Sequence, residues 1–164
     1  MPTGINWNGF QPLRHRGHAL RNGRFSETGR AYLLTAVTHE RKPVFNDWQL
    51  ARLLIAEMRY VHESKAVESL AWVLMPDHLH WLIELGDTPV QALMQRIKSR
   101  SAIAINKSSA LYNGKLWQRG FHDRALRREE DMRAIARYIV ANPLRAGLVR
   151  RIGDYHPLWD AVWL

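Results

Sequence analysis

Two strand-length runs separated by two residues constrain the fold of this chain more than any other feature. Leu70–Met75 has the sequence LAWVLM, and His78–Leu85 has the sequence HLHWLIEL. Both runs are rich in the branched and aromatic residues that favour strands. Only Pro76-Asp77, a typical turn pair, lies between them. The two runs are therefore predicted to form a β-hairpin.

Helix-capping residues mark the segments around this hairpin. Asp47 can cap one helix, and Thr88 can cap a second with Pro89 at its first position. Pro143 disfavours helix in the residue before it, so a third helix is predicted to end at Asn142. In chain order, the predicted elements are a strand at Ala31–Thr38, a helix from Asp47 to about His62, the hairpin, a helix from Thr88 to about Lys107, a short strand at Phe121–Leu126 and a helix that ends at Asn142. Either Asp131 or the preceding pair Glu129-Glu130 begins this last helix. This order predicts an α+β fold, a ferredoxin-like sandwich of an antiparallel sheet with helices, plus one further helix.

Length and composition bound the class of protein. With 164 residues, 46% of them hydrophobic, the chain is predicted to form one domain over residues 1–164, with a basic arm at 1–30 and a tail at 150–164. It has no cysteine, which excludes disulfides and thiolate chemistry. It contains no apolar run of ~18 residues and no stretch typical of a signal peptide. We therefore expect a cytoplasmic protein without a membrane span.

The positive charge is concentrated in two blocks. The net charge is +9, with a balance of +4 over residues 1–30, −3 over 31–95 and +10 over 96–151. Basic blocks around a slightly acidic middle favour a polyanionic partner, above all nucleic acid. Arginine predominates, and its guanidinium can both fork onto phosphate oxygens and stack on bases. The alternative is a generic basic surface.

His78 and His80 are spaced to lie on one face of the second hairpin strand, because side chains alternate along a strand. Leu79, Trp81 and Ile83 would then point to the opposite face and into a core. Two imidazoles in this arrangement can share one metal ion. The alternative is two unrelated histidines on a polar face.

Tyr138 and Asn142 are four residues apart in the last predicted helix, so they would stack on one face of it. That face borders the apolar side of the helix. Taken alone, Tyr138 could be an ordinary boundary tyrosine with its hydroxyl in water, and Asn142 a helix terminator. Near a metal, however, the phenol could attack a DNA phosphodiester and form a covalent phosphotyrosine.

The predicted metal site is open rather than closed. Two histidines and an amide oxygen from Asn142 form a weak donor set, which a phosphate oxygen and waters could complete, so Mg²⁺ or Mn²⁺ is the expected ion. Bond energy would be kept in the phosphotyrosine. No P-loop or GxGxxG motif occurs in the chain, and we expect no nucleotide cofactor.

Three motifs in this order resemble those of REP-associated tyrosine transposases. These are HUH single-strand nucleases related to the single-tyrosine transposases of insertion sequences. The motifs are MPDHLHW at Met75–Trp81, LWQRGF at Leu116–Phe121 and YIVANPLRAGLV at Tyr138–Val149. The resemblance extends from about Arg30 to Val149, and it is weaker in the arm.

The resemblance implies an endonuclease and strand transferase that cuts single-stranded DNA at palindromic, hairpin-forming REP-like repeats. Matched by motif, His78 and His80 would bind the metal, Tyr138 would be the nucleophile, and Asn142 would complete the metal site. The products would be a 5′-phosphotyrosine and a free 3′-hydroxyl. The resemblance also suggests a monomer acting in cis, and a cytoplasmic, nucleoid-associated location. The ending Asp154–Asp160 lacks the Trp-Ser-Ser sequence common in such proteins.

Basic residues of the arm and of the second charge block are the candidate phosphate contacts, and about half of them are expected to touch DNA. They are Arg14, Arg16, Arg21, Arg24, Lys98, Arg100, Lys115, Arg119, Arg124, Arg127 and Arg128. Arg119 and Arg124 flank the predicted fourth strand and are preferred. Trp117 could stack on a base, but a buried core indole is the favoured interpretation.

Two alternative functions stay open. One is a metal-dependent nuclease that hydrolyses RNA or DNA without a covalent intermediate, with Tyr138 structural. The other is a non-catalytic repressor that binds hairpin nucleic acid.

Overall fold

A computed structural model describes residues 26–109, 113–127, 131–155 and 158–162 of the chain. Its strands are β1 (Ala31–Val37), β2 (Val67–Met75), β3 (His78–Leu85), β4 (His122–Ala125) and β5 (Trp159–Ala161). Its helices are α1 (Trp48–Glu63), α2 (Val90–Ser108), α3 (Met132–Val140) and α4 (Asn142–Arg145), with single 3₁₀ turns at His39–Arg41, Val44–Asn46 and Ile152–Tyr155.

The five strands form one sheet in the order β4-β1-β3-β2-β5, and every neighbouring pair is antiparallel. The first four strands with α1 and α2 have the ferredoxin-like order, which confirms the predicted fold class. The hairpin of β2 and β3 turns at Pro76-Asp77, with Met75 opposite His78. The fifth strand was not predicted, because Trp159–Ala161 is too short to show an alternating pattern.

Helices cover both faces of the sheet. On one face, residues of α1 and α2 pack against β1 and β3, including the buried side chains of Leu79, Trp81 and Ile83. This confirms the predicted core-facing side of β3. On the other face, α3 packs in a second cluster with β2 residues and Leu82. The sheet therefore lies between two apolar layers, and one of them belongs to the helix that carries Tyr138.

Two predicted helix ends are wrong in detail. Thr88 does not cap α2; the N-cap residue is Pro89, which has no side chain able to accept a hydrogen bond. Ser26 takes over that role, since its hydroxyl accepts the hydrogen bond from the Val90 amide at 3.0 Å. By contrast, Asp47 and Asp131 cap α1 and α3 as predicted, with their side chains accepting backbone N–H groups.

The helix of Tyr138 ends earlier than predicted. α3 stops at Val140, and Asn142 begins the separate short helix α4, in which proline occupies one of the first two positions. A proline in the first turn of a helix needs no backbone donor, so Asn142, the residue before Pro143, is itself helical, contrary to the prediction. Within the described ranges, no helix is both long and apolar enough to span a membrane.

Candidate metal and tyrosine site

The paired histidines lie on the sheet face that α3 covers. Val73 and Met75 of β2 are the cross-strand partners of His80 and His78, so all four side chains share one face. Val73 and Met75 pack in the same cluster as the apolar residues of α3. The tertiary structure thus brings the Tyr138 helix and the histidine pair, 58 residues apart in sequence, to one side of the sheet.

The two imidazoles are neighbours, and each has its Nδ1 atom engaged. Their ring centroids are 4.8 Å apart in an edge-to-face arrangement. His78 Nδ1 lies 2.6 Å from Asp77 Oδ1, and His80 Nδ1 lies 2.9 Å from Thr35 Oγ1. Partners of this kind at one ring nitrogen fix the ring orientation and leave the other nitrogen, Nε2, for a metal.

Burial and charge keep His80 in the form that a cation needs. Burial lowers the pKa of His80 to about 4, and the neighbouring His78 acts in the same direction. His80 is therefore neutral near pH 7, as a metal ligand must be. Burial by itself would raise the pKa of Asp77, but hydrogen bonds and charge from His78 and Arg41 outweigh it and hold the pKa below its usual range. Asp77 is thus an ionised carboxylate beside the pair.

The donor set fits an open metal site. Among the described residues, no cluster of three or more His, Cys, Asp or Glu side chains is arranged to hold a metal ion. His78 and His80 would therefore need an amide, waters or substrate oxygens to complete the coordination. That composition suits an ion that exchanges ligands with a substrate and does not suit a closed structural zinc site.

Tyr138 is half-buried on α3, and a guanidinium covers its ring. Arg145 of α4 places its Cζ atom 4.1 Å from the centroid of the Tyr138 ring. This contact is a cation–π interaction. It places a positive charge beside the Tyr138 ring.

A second tyrosine near the site is unsuited to nucleophilic chemistry. Tyr155 donates its hydroxyl hydrogen to the backbone oxygen of Leu74 at 2.9 Å. Burial and the charge of Asp77 raise the pKa of Tyr155 to about 12. Tyr155 therefore ties the C-terminal segment to β2.

Asn142 caps the helix of Tyr138. Its side-chain nitrogen donates to the backbone oxygens of Tyr138 at 3.2 Å and Ile139 at 2.8 Å. This orientation directs Oδ1 away from the α3 carbonyls. Asn142 thus contacts the backbone of Tyr138, but the two residues occupy different helices and not the single helix that was predicted.

The predicted DNA contacts fall on different sides of the molecule. Arg124 lies on the histidine face, since it and Leu82 of β3 both pair with Leu33. Arg100 lies on the opposite helical layer and is 3.6 Å from Glu57 of α1. Lys98 donates to the backbone oxygens of Gln118 and Gly120, so it holds the segment before β4. The remaining described candidates are all exposed: Lys115, Arg119 and Arg127.

Four arm arginines and one later arginine lie outside the described residues: Arg14, Arg16, Arg21, Arg24 and Arg128. Trp117 is buried, and its indole nitrogen donates to Ser101 at 3.0 Å, so it is a core residue as the favoured interpretation held.

Sequence reasoning missed four side chains that contact the site. Asp77 and Thr35 hold the histidine rings, Arg41 contacts Asp77, and Arg145 covers Tyr138. Asp77 precedes His78 directly, which could have indicated its role. Thr35 and Arg41 could not be found from sequence, because the pairing of β1 with β3 brings them to the site and is a long-range contact.

The sequence is similar to those of known transposases. The sequence model of the family described as "Transposase IS200 like" matches residues 28–142. A REP-associated tyrosine transposase of Escherichia coli K12 is 29% identical over 97 residues, which are 58% of this chain and 55% of that protein. A Haemophilus influenzae Rd protein named as a REP-associated tyrosine transposase is 25% identical over 142 residues, 77% of each chain. The chain thus spans about half the length of the first of these relatives.

Two solved structures share the fold. The structure of a REP-associated tyrosine transposase bound to a REP hairpin has a TM-score of 0.69 and 25% identity, covering 84% of this chain and 79% of that one. A transposase-like protein of Deinococcus radiodurans has a TM-score of 0.51 and 23% identity, covering 73% of this chain and 95% of that one, and it supports the fold alone.

Proposed function

Since the chain belongs to the IS200-like transposase family, we propose that it cleaves and rejoins single-stranded DNA through a covalent bond to Tyr138. The observation that carries this proposal is the packing of α3 on the sheet face of His78 and His80. A nucleophile and a metal-binding pair on the same face can act on one phosphodiester.

The proposed substrate is a hairpin formed by a palindromic, REP-like single strand. Support comes from the structural relative that is bound to a REP hairpin. The two basic blocks of the sequence agree with such a polyanion. We further propose that the chain acts as a monomer in cis, near the nucleoid.

The proposed metal ligands are Nε2 of His78, Nε2 of His80 and Oδ1 of Asn142, with Mg²⁺ or Mn²⁺ as the ion. A bound divalent ion would polarise a phosphate oxygen and neutralise charge as it develops. Asp77 and Thr35 already orient the two histidine rings, so the rings would lose little conformational freedom when the metal binds.

The proposed reaction balances without a cofactor. The Tyr138 hydroxyl oxygen bonds to phosphorus while the bond to the 3′-oxygen breaks, the phenol loses its proton, and the departing strand gains one as a free 3′-hydroxyl. A 5′-phosphotyrosine results, and attack by a 3′-hydroxyl reverses the step. Arg145, at 4.1 Å from the Tyr138 ring centroid, is placed to stabilise the negative charge.

The test is covalent adduct formation with a hairpin oligonucleotide in the presence of Mn²⁺. On a denaturing gel, the wild-type chain should form an adduct that Tyr138→Phe abolishes and that chelation of the metal prevents. The matched control is Tyr60→Phe, because Tyr60 lies on α1 at the other face and is also covered by an arginine, Arg96 at 4.7 Å. Tyr60→Phe should retain the adduct.

The denaturing gel and a native gel together separate the alternatives. Cleavage that survives Tyr138→Phe would indicate a hydrolytic nuclease. Retarded mobility on a native gel without any cleavage would indicate a repressor. In either case the covalent mechanism is wrong.

A further inference from the structure

Asp77 connects an arginine to one histidine of the pair. Its Oδ1 atom is 2.6 Å from His78 Nδ1, and its Oδ2 atom accepts a hydrogen bond from Arg41 at 2.9 Å. The Asp77 side chain is 23% exposed and the His78 side chain 20%, whereas Arg41 is 59% exposed. The Asp77 carboxylate is thus partly buried, and each of its two oxygens has a hydrogen-bond partner.

The backbone around Asp77 is held in place from a second strand. The amide of Thr38, which follows β1 and is fully buried, donates to the backbone oxygen of Asp77 at 2.9 Å. The Thr38 hydroxyl lies 3.0 Å from the same oxygen. The hairpin turn therefore cannot shift relative to β1 without loss of these contacts.

The segment that delivers Arg41 has an unfavourable backbone conformation. Glu40 and Arg41 both have positive φ angles, 55° and 52°. Residues with a Cβ atom seldom adopt this region, and two in succession are rarer still. From this turn the Arg41 guanidinium reaches the hairpin, where it forms the ion pair with Asp77.

We propose that Asp77, held by Arg41, is the positioning carboxylate of the metal site. This inference rests on the proposed function. An ionised carboxylate can only accept hydrogen bonds, so the hydrogen must reside on Nδ1 of His78, and Nε2 then carries the lone pair. Asp77 thereby selects the tautomer and the ring rotation in which His78 can bind a cation, and Arg41 fixes the carboxylate.

The two histidines would then differ in how strictly they are oriented. Thr35 Oγ1 can donate as well as accept, so its contact with His80 Nδ1 does not impose one tautomer. The carboxylate of Asp77 does impose one. His78 is therefore the preorganised ligand of the pair, and its orientation depends on Asp77.

The first experiment measures the His78 tautomer without any metal. The full chain is labelled with nitrogen-15 at its eight histidines, and the His78 signals are assigned by their loss in His78→Gln. At about pH 8, above the ordinary imidazole pKa of about 6.5, long-range nitrogen–proton spectra should show the Nδ1–H form in the wild type. Asp77→Ala should shift His78 toward the Nε2–H form that predominates in free imidazole side chains.

The second experiment measures Mn²⁺ binding by the electron paramagnetic resonance of free Mn²⁺. Asp77→Ala should weaken binding by about 10- to 100-fold, the usual effect of removing such a partner. Arg41→Ala should weaken it less, because Asp77 is retained. The matched control is Asp87→Ala, an exposed aspartate beyond the far end of β3, which should bind Mn²⁺ as the wild type does.

Each outcome decides the proposal. A changed tautomer together with weaker Mn²⁺ binding in Asp77→Ala supports it. An unchanged tautomer, or a changed tautomer with wild-type Mn²⁺ affinity, overturns it and leaves the proposed function standing. The wild type and a His78→Gln/His80→Gln variant could also have the same affinity for Mn²⁺. In that case the proposed metal site is wrong, and the positioning role of Asp77 is wrong with it.

Discussion

At the residue scale, the low pKa of His80 links the site to the stability of the whole chain. An imidazole in the unfolded chain gains a proton near pH 6.5. In the folded chain His80 gains it only near pH 4, because burial and His78 disfavour the charged form. Between about pH 6.5 and about pH 4, His80 therefore binds a proton in the unfolded chain but not in the folded chain, and this proton stabilises only the unfolded state.

The resulting prediction concerns pH and unfolding without metal. As pH falls from about 6.5 toward about 4, the free energy of unfolding should decrease, and the decrease should be smaller in His80→Gln. Urea denaturation at a series of pH values measures both. If both proteins lost the same free energy over this range, His80 would not carry the effect.

Arg145 is the residue whose contact with the Tyr138 ring can be tested by substitution. An exposed cation–π contact contributes about 0.5–1 kcal/mol, which corresponds to about a 2- to 5-fold change in rate if it acts in the transition state. Arg145→Ala should therefore slow single-turnover adduct formation about 2- to 5-fold. Arg96→Ala removes the equivalent contact at Tyr60 and should leave the rate unchanged. Equal rates in Arg145→Ala and the wild type would assign Arg145 a structural role only.

At the element scale, Asn142 joins two helices, and its side-chain amide has two roles. Its nitrogen caps α3, whereas its oxygen is the proposed metal ligand. These roles use different atoms of one amide, so substitutions can separate them. Asn142 lies at the start of α4, and its side-chain nitrogen reaches back to the α3 carbonyls.

Two substitutions test this division. Asn142→Ala should lower the free energy of unfolding by about 1 kcal/mol, typical of lost hydrogen bonds, and should also weaken Mn²⁺ binding. Asn142→Asp should restore Mn²⁺ binding, since a carboxylate is a good ligand for Mn²⁺. It should not restore the stability, since a carboxylate cannot donate to carbonyls. Thermal unfolding and Mn²⁺ titration measure the two effects. Mn²⁺ binding that is unchanged in Asn142→Ala would remove Asn142 from the ligand set.

At the scale of the whole molecule, the sheet separates two of the predicted DNA contacts. Arg124 belongs to the histidine face, and Arg100 belongs to the helical layer on the other side. A DNA strand bound at the paired histidines can reach Arg124 directly, whereas it would have to pass around the sheet to reach Arg100. Arg124→Gln should therefore weaken hairpin binding several-fold and Arg100→Gln should not, as measured by fluorescence anisotropy of a labelled hairpin. The reverse order of effects would place the DNA on the α1 and α2 layer.

The total number of phosphate contacts is a second property of the whole molecule. If about half of the eleven predicted contacts touch phosphate, a fourfold increase in salt should weaken binding to single-stranded DNA by about 100-fold. Affinity measured at about 50 and about 200 mM salt tests this. A change of less than about fivefold would mean that only one or two phosphates are neutralised.

Local patterns in the sequence predicted the fold class and the pairing of His78 and His80 on one strand face. The two-residue hairpin turn and the alternation from His78 to Ile83 are local, and backbone geometry converts each one directly into a turn or a shared face. The capping aspartates Asp47 and Asp131 were predicted correctly for the same reason. The four-residue spacing of Tyr138 and Asn142 did not reveal that these residues lie in different helices.

Only the tertiary structure decided which surfaces meet. Thr35, Arg41 and Arg145 contact the site because the β1–β3 pairing, the turn after β1 and the turn after α3 bring them there, and no periodicity encodes those approaches. Ser26 replaces Thr88 as the hydrogen-bond partner at α2 across 64 residues for the same reason. The packing of α3 on the histidine face, on which the proposed reaction depends, is likewise a long-range contact, driven by burial of apolar area that the sequence alone does not assign to either face.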